Sequence, residues 1–233
     1  MPTKKKIKVP LHPMEQQIHL QKMSDITWRI FRIMSEFVEG FEFLSQFHKE
    51  VTIYGSTHLG TDTKWGKVAE QLGKILAKHG YTVITGGGPG IMESANKGAF
   101  SINPAKSVGI NIQLPMEQRT NPYVAKSKGF YYFFTRKVML AASAQAYIFF
   151  PGGFGTLDEV TEIITLIQTS KMQKIPVILV GKAFWQPFVN WIDKEMIKEY
   201  KTVMPKDRKI FTVVNTAEEA LKIIKTTKER TIF

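Results

Sequence analysis

The chain has no cysteine in its 233 residues. That excludes disulfides, a thiolate nucleophile and cysteine-ligated zinc, and it fits a reducing, cytoplasmic compartment. Long apolar runs are missing too. No stretch reaches the ~18 consecutive apolar residues of a membrane span, so no membrane partner is expected. The five histidines fall at no metal-ligand spacing. No G-x-x-x-x-G-K-[ST] phosphate loop occurs, which argues against a P-loop nucleotidase. The G-x-G-x-x-G fingerprint after the first strand is also lacking. The expected strand ending near Leu114 carries no acid at its end, so a nicotinamide cofactor is disfavoured. Nucleic-acid motifs are absent, as are aromatics interleaved with basic residues in one strand, which leaves nucleic acid a minority reading.

Negative charge is scarce. Twenty Asp and Glu stand against 32 Lys and Arg, for a formal charge of +12. Such a balance favours anionic partners, among them phosphorylated metabolites. Many lysines lie at the two ends of the chain, including Lys4, Lys5, Lys6 and Lys8. Residues 1–23 are therefore expected to form a basic, disordered arm. The hydrophobic fraction, 43%, is enough to bury a sizeable core.

Residues 24–50 are expected to form an N-terminal helical segment. Between Ser24 and Phe47, Trp28, Phe31, Met34, Val38, Phe41 and Leu44 recur at helical spacing, and Ile30, Phe37 and Phe43 widen the stripe. A face this wide should pack on the main domain or on a second subunit. From residue 51 to 233 strands and helices alternate. Strands are expected at Val51–Tyr54, Thr82–Thr85, within Ser107–Leu114, at Phe130–Phe134, Ala146–Phe150, Pro176–Val180 and Phe211–Val214. Helices are expected at Lys64–His79, Ile91–Phe100, Thr135–Ala144, Gly155–Thr169, Phe184–Tyr200 and Ala217–Lys225. This order implies an α/β domain, a parallel sheet covered by helices on both faces. Continuous apolar strands such as Tyr147 to Phe150 fit strands buried on both sides.

Three strand ends run into glycine: Gly55-Ser56, Gly86-Gly87-Gly88-Pro89-Gly90, and Gly152-Gly153-Phe154-Gly155-Thr156. Ligands of parallel sheets sit at that carboxyl edge. Gly152, Gly153 and Gly155 let a ligand approach the backbone, and the unpaired N–H groups of the following helix suit a phosphate that Thr156 can also bind. Glu159 has two open readings. Thr156-x-x-Glu159 is the spacing of a capping box, and a first-turn carboxylate can equally face the ligand. Arg136 falls near a helix start, where a cation is unfavourable unless an anion or carboxylate is at hand, and Lys137 carries the same logic. Glu93 can reach the same cleft or merely favour its helix dipole. His58 is expected to be a solvated loop residue.

The run Pro151-Gly-Gly-Phe-Gly-Thr-Leu-Asp-Glu159, with Arg136-Lys137 and Gly86-Gly-Gly-Pro-Gly-Ile-Met-Glu93, resembles the signatures of the LOG (Lonely Guy) family, whose members often carry the label "possible lysine decarboxylase". The resemblance covers about Val51 to Val180. It implies a three-layer Rossmann-like fold and a phosphoribohydrolase that splits a nucleoside 5′-monophosphate into free base and ribose 5-phosphate. It further implies Arg136 and Glu159 as the catalytic pair, with Gly55, Ser56, Gly87, Gly88, Met92, Glu93, Lys137, Gly152, Gly153, Gly155 and Thr156 binding substrate. No metal or redox cofactor is implied, and the partner expected is a second copy in a homodimer or larger assembly. Glu93 stands where the short cytokinin-activating members read glycine. Together with the N-terminal helix, this resembles the longer bacterial subgroup and points to AMP or another common nucleotide as substrate. A nucleotide sensor or carrier without hydrolysis, and a DNA-associated protein, are the alternatives.

Overall fold

The computed structural model describes residues 23–113 and 120–227. The expected basic arm therefore lies outside the described residues except for Met23, as does the end of the third strand at Leu114. Helices are α1 (Met23–Leu44), α2 (Lys64–Lys78), α3 (Ile91–Phe100), α4 (Phe133–Ala142), α5 (Phe154–Gln168), α6 (Lys182–Trp191) and α7 (Ala217–Lys225). Strands are β1 (Glu50–Tyr54), β2 (Thr82–Thr85), β3 (Ser107–Ile112), β4 (Lys126–Phe130), β5 (Ala146–Phe149), β6 (Val177–Val180) and β7 (Phe211–Val214).

All seven strands pair in parallel, in the order β4-β3-β2-β1-β5-β6-β7. The chain builds outward from β1 to β4, returns beside β1 as β5, and builds outward again. One face is covered by α2, α3 and α7, through Leu72, Ile91, Ala95 and Ile224. The other carries α1, α4, α5 and α6, through Leu44, Met139, Val160 and Trp185. This is a three-layer Rossmann-like α/β fold. The central strands β1, β2, β3, β5 and β6 are buried throughout, which is why their sequences read as continuous apolar or small-residue runs.

Two elements differ from expectation. The strand anticipated at Phe130–Phe134 lies earlier, and α4 begins at Phe133. Lys126-Ser-Lys-Gly-Phe130 is polar because β4 is an edge strand, where lysines discourage pairing with other chains, and its apolar content gave no strand signal. Phe133 and Phe134 instead point outward from a helix. The second difference is α1. Its packed side carries Phe37, Gly40, Phe43 and Leu44, so the stripe Trp28, Phe31, Met34, Val38 and Phe41 faces solvent. Beyond Trp191 the expected long helix continues as a π-helical segment, Ile192–Glu199.

Candidate active site

β1 and β5 are neighbours, yet β1 leads to α2 on one face and β5 to α5 on the other. Their loops part over the sheet edge and leave a crevice. The backbone laces that crevice together. Ser56 N donates to Pro151 O at 3.0 Å, and Ile91 N donates to Ser56 O at 3.0 Å. Gly90 sits at φ +75°, and a Cβ there would lie 2.3 Å from Ser56 O, so only glycine fits. Behind the second loop a buried polar chain holds shape. Thr85 donates to Asn96 Oδ1 at 2.6 Å, and Asn121 Nδ2 donates to Gly88 O at 3.0 Å.

The resulting cleft has a volume of about 380 Å³. Of the residues anticipated from sequence, it brings together Gly55, Ser56, Gly88, Met92, Arg136, Gly153, Gly155, Thr156 and Glu159. Gly87, Glu93, Lys137 and Gly152 are not part of its lining. Tyr54, Ile112, Gly86 and His58 are; sequence reasoning passed over Tyr54 and Ile112, read Gly86 only as part of its glycine loop, and favoured a solvated role for His58. Tyr54 and Ile112 end β1 and β3, so the rule that ligands gather at carboxyl strand ends could have found them.

At the mouth of β5, α5 begins at Phe154 with Gly153 as its uncapped N-cap, and its first helical bond runs from Leu157 N to Gly153 O at 3.0 Å. Thr156 is therefore inside the first turn, which removes the capping-box reading of Glu159: Thr156 is not the cap, and Glu159 lies a turn further on. The N–H groups before Leu157 have no helical carbonyl to bind. A Cβ on Gly153 or Gly155 would meet nothing within 4 Å, and neither has a positive φ. The protein's own packing does not require glycine at either place.

Arg136, in the first turn of α4, is partly buried. Its Nε donates to Ile110 O at 2.9 Å, and its guanidinium reaches so near Gly86 that a Cβ there would lie 2.3 Å from an Nη atom. Burial lowers its pKa while Glu159 and Tyr54 oppose that shift; as an arginine it stays charged. Burial also pushes the Glu159 carboxyl up to about 7, against Arg136 and Lys137, which favour its ionised form, and with Asp158 and Glu162, which do not. Tyr54 is raised in turn, by burial first and then by Glu159. Lys137 turns away from the cleft, binding Asp158 at 2.7 Å and Glu162 at 3.5 Å on α5.

The sequence profile of the family described as "possible lysine decarboxylase" matches residues 92–224. The chain belongs to this family, the LOG family. Its LOG-family relatives include the rice (Oryza sativa subsp. japonica) protein named cytokinin riboside 5′-monophosphate phosphoribohydrolase LOG. That protein is 28% identical over 174 residues, covering 73% of this chain and 70% of the rice protein. A cytokinin riboside 5′-monophosphate phosphoribohydrolase of Rhodococcoides fascians is 25% identical over 169 residues, covering 70% of this chain and 83% of its own. Among solved structures, the molybdenum cofactor binding protein of Rippkaea orientalis shares the LOG fold. Its TM-score is 0.54 at 23% identity, over 76% of this chain and 94% of that one.

The raised Glu159 value carries a consequence for stability. Its folded-state pKa of about 7 lies above the ordinary carboxylate value of 4.5, so its contribution to stability is complete below pH 4.5 and is lost as pH rises to about 7. Glu159→Gln, the shape of the protonated acid, escapes that loss. In urea unfolding the variant should gain on the native protein between pH 5 and pH 8 by on the order of 2 kcal/mol. An equal difference at the two pH values would show that burial does not strain this carboxylate.

Proposed function

We propose that this protein hydrolyses the N-glycosidic bond of a nucleoside 5′-monophosphate, releasing free base and ribose 5-phosphate. The substrate class is AMP-like, with cytokinin-type nucleotides a narrower option. One observation carries the reading. A strongly perturbed carboxylate and a partly buried guanidinium face one cleft, above a helix start whose glycines the fold itself does not need. Space left open beside unpaired N–H groups suits a phosphate. The family-level activity of the relatives supports the same conclusion.

The chemistry follows from these groups. As the bond from C1′ to the base nitrogen breaks, its electrons leave with the base and the ribose becomes oxocarbenium-like, a charge that a nearby carboxylate stabilises. Glu159 in its ionised form does this and takes a proton from the attacking water, whose oxygen bonds to C1′. The proton taken from water passes from Glu159 to the departing base, directly or through solvent, so that the sum is one water added across the bond. Arg136 binds phosphate or the leaving base. Phosphate held by Gly153, Gly155 and Thr156 supplies orientation energy remote from the broken bond. The cytoplasm is the proposed location, and nucleic acid is not a proposed partner.

Base release from a panel of nucleoside monophosphates tests this directly. The native protein should free base from at least one, with kcat/KM climbing to a plateau above about pH 7. Glu159→Gln should fold and lose about a hundredfold or more of that rate. Tight AMP binding with no base released from any nucleotide would make the protein a carrier instead. Gly155→Ala gives a separate check on the phosphate site. Alanine inside a helix turn should raise stability by about 0.5 kcal/mol while AMP binding weakens. Unchanged binding would remove Gly155 from the site.

The proposed working form is a homodimer or larger homo-oligomer. On α1, Phe31, Met34, Val38 and Phe41 follow a three-four-three spacing and are exposed, and α4, which α1 packs against, exposes Phe133, Phe134 and Val138. Apolar side chains concentrated on two adjoining helices mark an association surface, and the three-four spacing is that of helix pairing. Light scattering should give the native protein at least twice its 26.5 kDa chain mass. Phe31→Glu with Val38→Glu should reduce it while the fold is kept. A native monomer at micromolar concentration would end this reading.

A further inference from the structure

The N-terminal helix has a polar inner grip as well as an apolar outer face. α4 starts without help from its own sequence. Its N-cap, Tyr132, makes no side-chain cap bond, no acid lies in its first turn, and Arg136 adds positive charge there. A helix start in that state has unpaired N–H groups and an adverse dipole. A carboxylate reaches that start from α1, almost a hundred residues away in sequence, and takes the N–H groups of the N-cap and of the residue before it. The Glu36 carboxylate accepts from Tyr131 N–H at 2.6 Å, from Tyr132 N–H at 3.3 Å and from the buried Thr135 hydroxyl at 2.5 Å. Its neighbours anchor the same corner. Arg29 lies over the Tyr132 ring at 5.6 Å, Arg32 over the Tyr131 ring at 5.1 Å, and Glu39 pairs with Lys128 of β4. Gly40 lies so close to Met139 that a Cβ would be 2.5 Å from its sulfur.

We infer that Glu36 is a positioning residue for Arg136, capping α4 from the N-terminal helix so that the guanidinium is presented at a fixed depth in the cleft. The inference rests on the proposed role of Arg136 toward the bound nucleotide. It gives α1 a part in the site that the apolar stripe did not suggest. The guanidinium has little tolerance for movement. It is fixed by one bond to Ile110 O and passes over Gly86, where a Cβ would lie 2.3 Å from an Nη atom and 2.9 Å from the Met92 sulfur. If the first turn of α4 frays, that bond and the approach to Gly86 are lost together. Glu36 is not part of the cleft lining, and it acts through the backbone of α4. On the far side, Lys137 ties α4 to α5 through Asp158 and Glu162, so the helix is held between α1 and the helix that carries Glu159.

The test uses the full chain with Glu36→Ala, Glu36→Gln, Arg136→Ala and the double variant Glu36→Ala/Arg136→Ala. Two readouts are needed. Proton exchange at the Tyr131 and Tyr132 amides and at Arg136 Nε, followed by NMR without ligand, reports the cap and the guanidinium directly. Calorimetric binding of AMP reports the site and does not depend on turnover. Glu36→Ala should speed exchange at all three protons about tenfold, the scale of a lost helix cap. It should also weaken AMP binding by a similar factor, and Glu36→Gln, which keeps one acceptor oxygen, should recover part of both. In the Arg136→Ala background the loss of Glu36 should leave AMP binding unchanged. Equal weakening with and without Arg136, or faster amide exchange with Arg136 Nε unaffected, would overturn the inference. A native protein that binds AMP but releases no base would refute the hydrolase reading alone, because the exchange and binding readouts do not involve turnover.

Discussion

Two neighbouring strands whose connections leave in opposite directions organise everything at the carboxyl edge. β1 and β5 are paired from Val51–Tyr54 to Ala146–Phe149, but α2 and α5 lie on opposite faces of the sheet. Their loops must separate, and Gly55, Ser56, Gly153 and Gly155 border the opening together with Tyr54 and Ile112 from the strand ends. The bonds from Ser56 N to Pro151 O and from Ile91 N to Ser56 O keep it from spreading. With glycines and the uncapped start of α5 at its edge, the opening suits a ligand that offers acceptor atoms and negative charge. The walls are then supplied by α3 with Met92, α4 with Arg136 and α5 with Glu159.

The two charged walls are held in opposed electrostatic states. Glu159 is buried enough for its neutral form to persist to about pH 7, and Arg136 keeps its charge despite burial. A carboxylate tuned near neutrality beside a fixed cation is the arrangement expected where a proton moves or a cationic sugar must be stabilised. Neither residue gains its state from its own helix alone. Asp158, Glu162 and Lys137 surround Glu159, and the lysine is itself held by those two acids. Arg136 depends on the lack of a side chain at Gly86, on a carbonyl of β3 and on a helix capped from α1.

Much of this was legible in the sequence, for identifiable reasons. Glycine at strand ends marks close backbone approach, so the loops at Gly55, Gly86 and Gly152 could be read without coordinates. Parallel strands buried on both faces are predominantly apolar, so β1, β2, β5 and β6 were visible as short runs. β4 was not, because an edge strand can be polar and Lys126 and Lys128 gave no sign of pairing. The aromatic run Phe130 to Phe134 then drew the strand too late. The Thr156-x-x-Glu159 spacing fitted a capping box, but Gly153 starts the helix and the box does not form.

The sequence by itself determined the layered α/β architecture, the glycine loops and the family, since each is written in local residue pattern. Tertiary structure alone decided which side of α1 meets the domain. An amphipathic stripe defines a face without naming its partner, and here polar Glu36 turns inward while Phe31 and Val38 turn out. It also decided that Lys137 meets Asp158 and Glu162 whereas Arg136, its neighbour, meets the cleft. Adjacent helical residues project about 100° apart, so only the packing of neighbouring elements could assign one to an ion pair and the other to the site.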